Sequence, residues 1–514
     1  MAAEIRSIKI HPAIGVARLG DHPTAFFDGP QKPFESKVPS GGYKKDGKIK
    51  RQAAVFRLFG YDANGKVVKE ITSADADIRW QVELANKKAF GHEFAGLNSN
   101  TPLRNPNVAP AQRHRLSIQP TVKTVDNSNK EAKLDDGKFT SWNENGSSPK
   151  EFARILLGEL EMNSQGFLRV LGGKGTSKTG HPEIKINNYA NNNSWFDDVA
   201  DGPVNATVTL KSNDKIFEAE TAWVICAPPS FAPQIRSIVT FYDVLMNRAV
   251  DRGLLALPDE PSFAFDVYPT LAASLHVKFV HDIGSAHGTL PPLLKHDSPM
   301  AIRQFLLSRI RLPNGTSTNN RTMPRLLGDN GGPALALTKL QYHCLEKWAL
   351  GNVKTNDEHE GPPAVPDKIT PDGMDRAALE SCVGGGLFPG IEAGWFLRQK
   401  YDLVDGDFFR LSLTQNNQQC PVLKAGDITK QMALPWQADF TQCRRETHGG
   451  IDWGWWPAVR PDDVLVGTSA TSPTLWAGTV DDNSIPISDQ YVEMMKQWKK
   501  LGFVVKSGNK FVVK

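Results

Sequence analysis

The sequence predicts an α+β fold: a β-rich N-terminal part, then a mixed helical and β C-terminal part that carries the reactive residues. Three observations predict it. Before residue 234, short apolar runs are broken by Asn-Gly, Gly-Pro and Pro-Pro punctuation, the pattern of strands and turns. After it, apolar residues recur at helical spacing. The chain has 514 residues, 40% hydrophobic and 23% charged, a folded composition long enough for more than one structural unit. Two units are expected, at 1–234 and 235–514.

The elements follow in order. IRSIKIHPAIGVARLGD opens with a short strand, broken at His11-Pro12. His11 and Arg18 read either as ligand contacts or, with more weight, as hydrogen-bonded residues of that first strand. AAVFRLFGYDANGKVVKEI predicts a hairpin turned at Asn64-Gly65. Polar sequence to about residue 148 reads as loops with short strands, and residues 149–171 as a short helix or strand before GFLRVLGG. NNNSWFDDVADGPV gathers Asp197, Asp198 and Asp201 in a turn. A calcium loop would use such oxygens, but the spacing fits no EF-hand, so Asx-type capping is favoured. ATVTLKS and TAWVICAPP are strands. Helices are expected in IRSIVTFYDVLMNRAVDRGLL, with Ile238, Tyr242, Leu245 and Val250 on one face, in SPMAIRQFLLSRIR, in ALTKLQYHCLEKWALG ending at Gly351, and in DGMDRAALESC. The tail ISDQYVEMMKQWKKLGFVV gives an amphipathic helix, its Met and aromatic stripe facing the core, and then a last strand.

Composition removes several functions. The formal charge of +4 is small, and no basic run interleaves with aromatics, so no nucleic-acid partner is expected. No run of eighteen apolar residues predicts a membrane span, and no membrane partner is expected. The first residues lack the apolar core of a signal peptide, which points to the cytoplasm and leaves export by another route open. The five cysteines (226, 344, 382, 420, 443) form no C-x-x-C pair, so they read as reduced thiols, most of them buried, and no metal site is expected. LGGKGTSKTG looks like a phosphate loop, but Ser177 stands before Lys178 where Gly is required. No helix is expected after it, and the dinucleotide G-x-G-x-x-G is absent. No bound nucleotide is expected.

One stretch stands apart. Residues 434–461, LPWQADFTQCRRETHGGIDWGWWPAVRP, hold four of the twelve tryptophans, Cys443, and Asp439 four residues earlier. Pro435 suits the first turn of a helix over Trp436 to Cys443, which would put Asp439 and Cys443 on one face. Indole is the most electron-rich side chain and thiolate the best nucleophile. A cysteine adding to an oxygenated tryptophan gives a thioether-linked ortho-quinone whose carbonyl carbon accepts a primary amine. A nearby carboxylate then takes a proton from the substrate carbon. An ordinary aromatic core is the bland alternative, and a Cys443–His448 hydrolase is another.

The chain resembles the cysteine-tryptophylquinone amino-acid oxidases, the family of lysine ε-oxidase and glycine oxidase. The segments that carry the resemblance are IHPAIGVARLGD (10–21), LGEL…GFLRVLGGKGTS (157–177), NNSWFDDVADGPV (192–204), AWVICAPPSFAP (222–233), MPRLLGDN (323–330), CVGGGLFPGIE (382–392), LPWQADFTQC (434–443), WWPAVRPDDV (455–464) and MMKQWKKLGFVV (494–505), in order over nearly the whole length. The resemblance implies a protein-derived cysteine tryptophylquinone with Cys443 as its cysteine and Asp439 as the aspartate of cofactor formation and proton transfer. Trp476, beyond the WWPAVRP block, is favoured as the tryptophan, with Trp455 or Trp456 as runner-up. Cys382, Phe196 and His448 are placed at the substrate pocket. It implies oxidative deamination of a free amino acid or other primary amine, with oxygen as acceptor and aldehyde or oxo acid, ammonia and hydrogen peroxide as products. It also implies a separate flavoprotein for quinone maturation, and a homo-oligomer is expected. A non-catalytic scaffold member of the family is the alternative.

Overall fold

The structure is a computed structural model that describes residues 4–36, 38–94, 101–281, 295–313, 321–326, 336–354, 363–384, 403–404, 407–413, 422–442, 446–448, 451–453, 458–465, 473–480, 484–508 and 510–514.

The N-terminal half builds a thirteen-stranded sheet. Its strands are β1 (Ser7–His11), β2 (Ile14–Arg18), β3 (Phe26–Asp28), β4 (Arg51–Tyr61), β5 (Val67–Ile71), β6 (Ala76–Val82), β7 (Lys123–Val125), β8 (Glu131–Leu134), β9 (Gly158–Met162), β10 (Leu168–Gly172), β11 (Ala200–Leu210), β12 (Ile216–Glu218) and β13 (Ala222–Ala227). The main path runs β8-β9-β10-β4-β2-β13-β11-β6-β7, with β1, β3 and β5 also on β4 and β12 on β11. Its end strands β7 and β8 approach each other, so the sheet is nearly closed. The expected hairpin is present: β4 and β5 pair antiparallel around Asn64-Gly65. Burial alternates along β6, where Ala76, Ile78, Trp80 and Val82 face the core, whereas β4 pairs with five strands and is buried almost throughout. Residues 149–155 and 158–162 are strands, which settles the helix-or-strand alternative there.

β2 and β13 pair in parallel at the middle of the sheet, Gly15 beside Val224. Their pleat separates two cores. Ile14, Val16, Trp223 and Ile225 face one, with side chains from helices α1 (Phe241–Asp251), α2 (Tyr268–His276), α4 (Lys339–Leu350) and α5 (Pro371–Glu380); α3 (Met300–Arg309) lies on α4. Ala17, Leu19, Val224 and Cys226 face the other. There they meet aromatic side chains of the last eighty residues, including those of α6 (Trp436–Gln442), and Met494 of α7 (Ile487–Gln497). The expected helices are all present. α1 begins later than expected, because Thr240 and Asp243 form a capping box; Ile238 therefore lies outside it, and the inward face is Phe241, Val244, Leu245 and Ala249. α4 ends at Gly351 in the left-handed region, as expected. Tyr491, Met494 and Trp498 are buried, which confirms the core role of the tail stripe, and the chain ends in a hairpin.

Candidate active site

α6 has seven residues, too few to be stable alone, and Trp436, Gln437, Ala438, Asp439, Phe440 and Thr441 are all buried. Tertiary contacts must therefore hold it, and the N-terminal half, sheet and loops together, supplies them. Asp201, on β11, accepts from the Thr429 N–H (2.8 Å), the Thr429 hydroxyl (2.6 Å) and the Trp223 indole (3.0 Å). Burial pushes its carboxyl up to about 6 against these donors. Arg104 donates to the carbonyls of Lys430 (3.2 Å) and Met432 (3.0 Å), Lys88 to that of Ala433 (2.8 Å), and Asn192 to that of Leu434 (2.9 Å). Asp197 Oδ2 accepts from Lys88 Nζ at 2.7 Å and from the Trp436 backbone N–H at 3.1 Å. Gln437 is held by the Ser177 hydroxyl (2.7 Å) and the Gly175 carbonyl (3.1 Å).

The segment that looked like a phosphate loop therefore has another use. It joins β10 to a short strand, Ser177–Thr179, not to a helix. A Cβ on Gly173 would fall 2.4 Å from the Asp198 carboxylate, and one on Gly175 (φ +74°) 2.1 Å from the Trp498 ring. The glycines let this loop lie against Asp198 and Trp498, where Gly175 and Ser177 reach Gln437 of α6.

Beyond α6 the packing is aromatic. The Trp436 ring meets Phe440 (5.4 Å between centroids) and Trp498 (5.1 Å); Phe440 meets Phe231 (5.8 Å), which meets Trp476 (5.1 Å). Trp476 is buried, donates its indole N–H to the Gly502 carbonyl (2.7 Å) and lies under the Arg460 guanidinium. Arg460 also donates to the Phe440 carbonyl at 2.7 Å, which ties α6 to the Trp476 side of the core. α6 packs against α7, where burial first, and then the Asp439 charge, push the Tyr491 phenol up to about 12.

The sequence candidates fall unevenly. Asp439 is fully buried on α6, as described. Cys443, Trp455 and Trp456 lie outside the described residues. His448 ends a strand, Glu446–His448, paired with Ile451–Trp453; its side chain lies outside them too. Cys382 closes α5 in the helical core, its sulfur 3.5 Å from the Ala378 carbonyl. Phe196 packs between Phe139 (4.9 Å) and Phe152 (5.1 Å), away from α6; its neighbour Asp197 is the residue that reaches α6. His11 and Arg18 are buried and hydrogen-bonded within the fold, the structural alternative of the two considered. Asp197 caps locally, accepting the Val199 N–H, and does much more besides. Cys226 and Cys344 are buried and their thiols are pushed up by burial, as expected of inert cysteines. Lys88 and Arg104 escaped the sequence reading altogether.

Two family models match the chain, L-lysine epsilon oxidase N-terminal over residues 11–226 and L-lysine epsilon oxidase C-terminal domain over 318–457. An L-lysine 6-oxidase of Marinomonas mediterranea is 26% identical, with 97% of this chain and 87% of that protein aligned. The crystal structure of the L-Lys epsilon-oxidase of the same organism matches with a TM-score of 0.75 at 22% identity, over 99% of this chain and 94% of that one. The structure of its Schiff base intermediate with L-Lys gives the same score and identity over 99% and 95%. At that identity these two structures establish the fold.

Proposed function

From the premise that the chain belongs to the L-lysine ε-oxidase family, we propose that it oxidatively deaminates a primary amine, a free amino acid, through a quinone made from its own cysteine and tryptophan. Kinship with an L-lysine 6-oxidase supports amino-acid oxidase activity and makes L-lysine the first substrate to test. The observation that carries the reading is Asp439, a fully buried carboxylate on α6 four residues before Cys443 in sequence. A carboxylate is costly to bury, and its use here is to take a proton where water is excluded.

The described residues fit such a group. The Trp436 indole N–H and the Thr441 hydroxyl are buried and have no hydrogen-bond partner among the described residues, although the backbone leading into α6 is densely bonded. Cys443 follows directly, and Trp476 supplies an indole in the same aromatic core. We propose Cys443 and Trp476 as the linked pair, with Trp455 and Trp456 as the alternatives. The quinone, when formed, supplies the electrophilic carbonyl that takes the amine and holds two electrons for oxygen. Asp439 takes the proton from the substrate carbon. Trp436, Phe440 and Tyr491 keep bulk water from it. Arg460 and the backbone anchors of residues 430–436 hold α6 still. One amine, one oxygen and one water give one carbonyl product, one ammonia and one hydrogen peroxide.

The test is to produce the full chain together with the flavoprotein expected to mature it. A visible absorbance band, peroxide release on an amino-acid panel led by L-lysine, and a peptide joining Cys443 to a tryptophan are expected. Sequencing that peptide decides among Trp476, Trp455 and Trp456. Asp439→Asn lowers kcat by about 10²- to 10⁴-fold, and Cys443→Ala abolishes the band. An intact mass equal to the unmodified chain, with no peroxide from any amine, sinks the proposal.

A further inference from the structure

We propose that the buried Lys88–Asp197 pair is a positioning device for the reaction: it fixes the start of α6, and so the place of Asp439, beyond any contribution to overall stability. This rests on the function proposed above.

The geometry is specific. Lys88, Asp197 and Arg104 are all fully buried. Asp197 is held from both sides: Oδ1 accepts from Asn86 Nδ2 (2.9 Å) and the Val199 N–H (3.2 Å), and Oδ2 from Lys88 Nζ and the first N–H of α6. Lys88 in turn grips the carbonyl three residues before that N–H. With Arg104, Asn192 and the Ala190 carbonyl (2.9 Å from the Leu434 N–H), the polar backbone atoms leading into α6 are bound one after another to the N-terminal half. Proline at 435 has no N–H to bind.

Stability alone does not account for burying these charges. Replacing a buried ion pair with apolar residues of similar volume is often neutral or favourable, because desolvation offsets the attraction. What the pair adds is direction: a lysine and a carboxylate aimed at two backbone atoms leave one orientation for the segment. Asp439 lies three residues, about 4.5 Å of helix rise, beyond the bonded N–H. A tilt at that point carries directly to the carboxylate, and a misplacement of about 1 Å at a reacting group costs rate on the order of 10²-fold.

The test compares two charge-neutral double variants of the full chain, made with the maturing flavoprotein. Lys88→Met with Asp197→Asn keeps one oxygen for the Trp436 N–H and gives up the Asn86 and Val199 contacts on the other side; Lys88→Met with Asp197→Leu gives up all three, so the two pairs differ in the bond to α6. The Asn pair is expected to keep the fraction of linked Cys443 and kcat within about threefold of the parent. The Leu pair loses about tenfold or more in kcat with KM for the amine nearly unchanged, at a similar melting temperature. Amide exchange of residues 436–442 is expected to rise in the Leu pair only. Equal kcat and equal local exchange in the two pairs would overturn the proposal. If the Leu pair does not fold, Lys88→Met with Asp197→Ala carries the same comparison with a cavity in place of the larger side chain. If the parent shows no linked cysteine and no peroxide, the functional reading fails, and the exchange comparison still decides whether the pair orients α6.

Discussion

Two buried polar clusters tie C-terminal segments to the sheet, and they bury different kinds of group. In the first, Lys88 and Asp197 form an ion pair 2.7 Å long with no solvent exposure, and Arg104 lies in the same cluster. Burial pulls the Lys88 ammonium down and Asp197 opposes it; the same desolvation pulls Arg104 to about 10, which leaves it charged at neutral pH. In the second, His11 joins Asp375 of α5 (2.9 Å) to the Tyr61 hydroxyl (2.9 Å), while Asp375 also accepts the Ala13 N–H. Its cation, Arg410, has a partner of its own in Asp407 at 3.0 Å. The first cluster holds the segment bearing Asp439, the second the helix that leads into Cys382. A fixed ion pair cannot rearrange when one member is lost. An imidazole between a carboxylate and a phenol can, because it has two tautomers and a rotatable hydroxyl beside it. The rigid kind of anchor therefore stands beneath the residue proposed to move a proton.

The largest effect expected is from Lys88→Met alone, which leaves Asp197 buried without its cation. Breaking a buried pair by removing one partner costs about 3–5 kcal/mol, to be read as a lower denaturant midpoint. A loss below about 1 kcal/mol would break the contrast between the clusters. Asp198, the next residue, sharpens it. It has no ion pair among the described residues: burial pushes its carboxyl up to about 7, and its Oδ1 has no hydrogen-bond partner among them. A raised carboxyl binds its proton more tightly folded than unfolded. Its contribution is therefore fully present below the ordinary carboxyl range and is lost as pH rises towards about 7. Asp198→Asn should abolish that decline. The difference between parent and variant melting curves should grow from pH 4 to pH 7, by no more than about 4 kcal/mol. A difference that does not change over that window would show that Asp198 is ionised throughout.

α6 and Asp439 are legible because their signals are local: a proline at the first turn and a carboxylate in an otherwise uncharged segment. The hairpin at Asn64-Gly65 and the capped end at Gly351 were legible for the same reason. What grips α6 was not. Lys88 sits in NKKAF, where a lysine reads as solvated surface, and Arg104 in a polar, proline-broken run. Their partners on the approach to α6 lie more than 300 residues away, and Asp201, bonded both to Ala85 and to Thr429, brings the two stretches together. The cluster of Asp197, Asp198 and Asp201 was noticed, but its spacing suggested only local turn capping. That Asp197 bonds α6 while Phe196 turns towards Phe139 follows from strand alternation, once the strand Trp195–Asp197 is placed.

Asp375→Asn tests the softer side of the comparison and should have the smallest effect. The amide oxygen can keep the Ala13 N–H, and the amide NH2 then faces His11 Nδ1. The ring needs only to carry its proton on Nε2 and donate to the Tyr61 oxygen. Tyr61 can take that role, since burial, the larger cause, still pushes its phenol up and keeps it neutral without the Asp375 charge. Arg410 is not stranded, because Asp407 still pairs with it. The expected cost is that of exchanging one charged hydrogen bond for a neutral one, about 1–2 kcal/mol, with kcat unchanged because α6 is untouched. A loss equal to that of Lys88→Met would show that the imidazole is locked in one protonation state. The two clusters would then be equally rigid, and the special placement of the ion pair under α6 would lose its meaning.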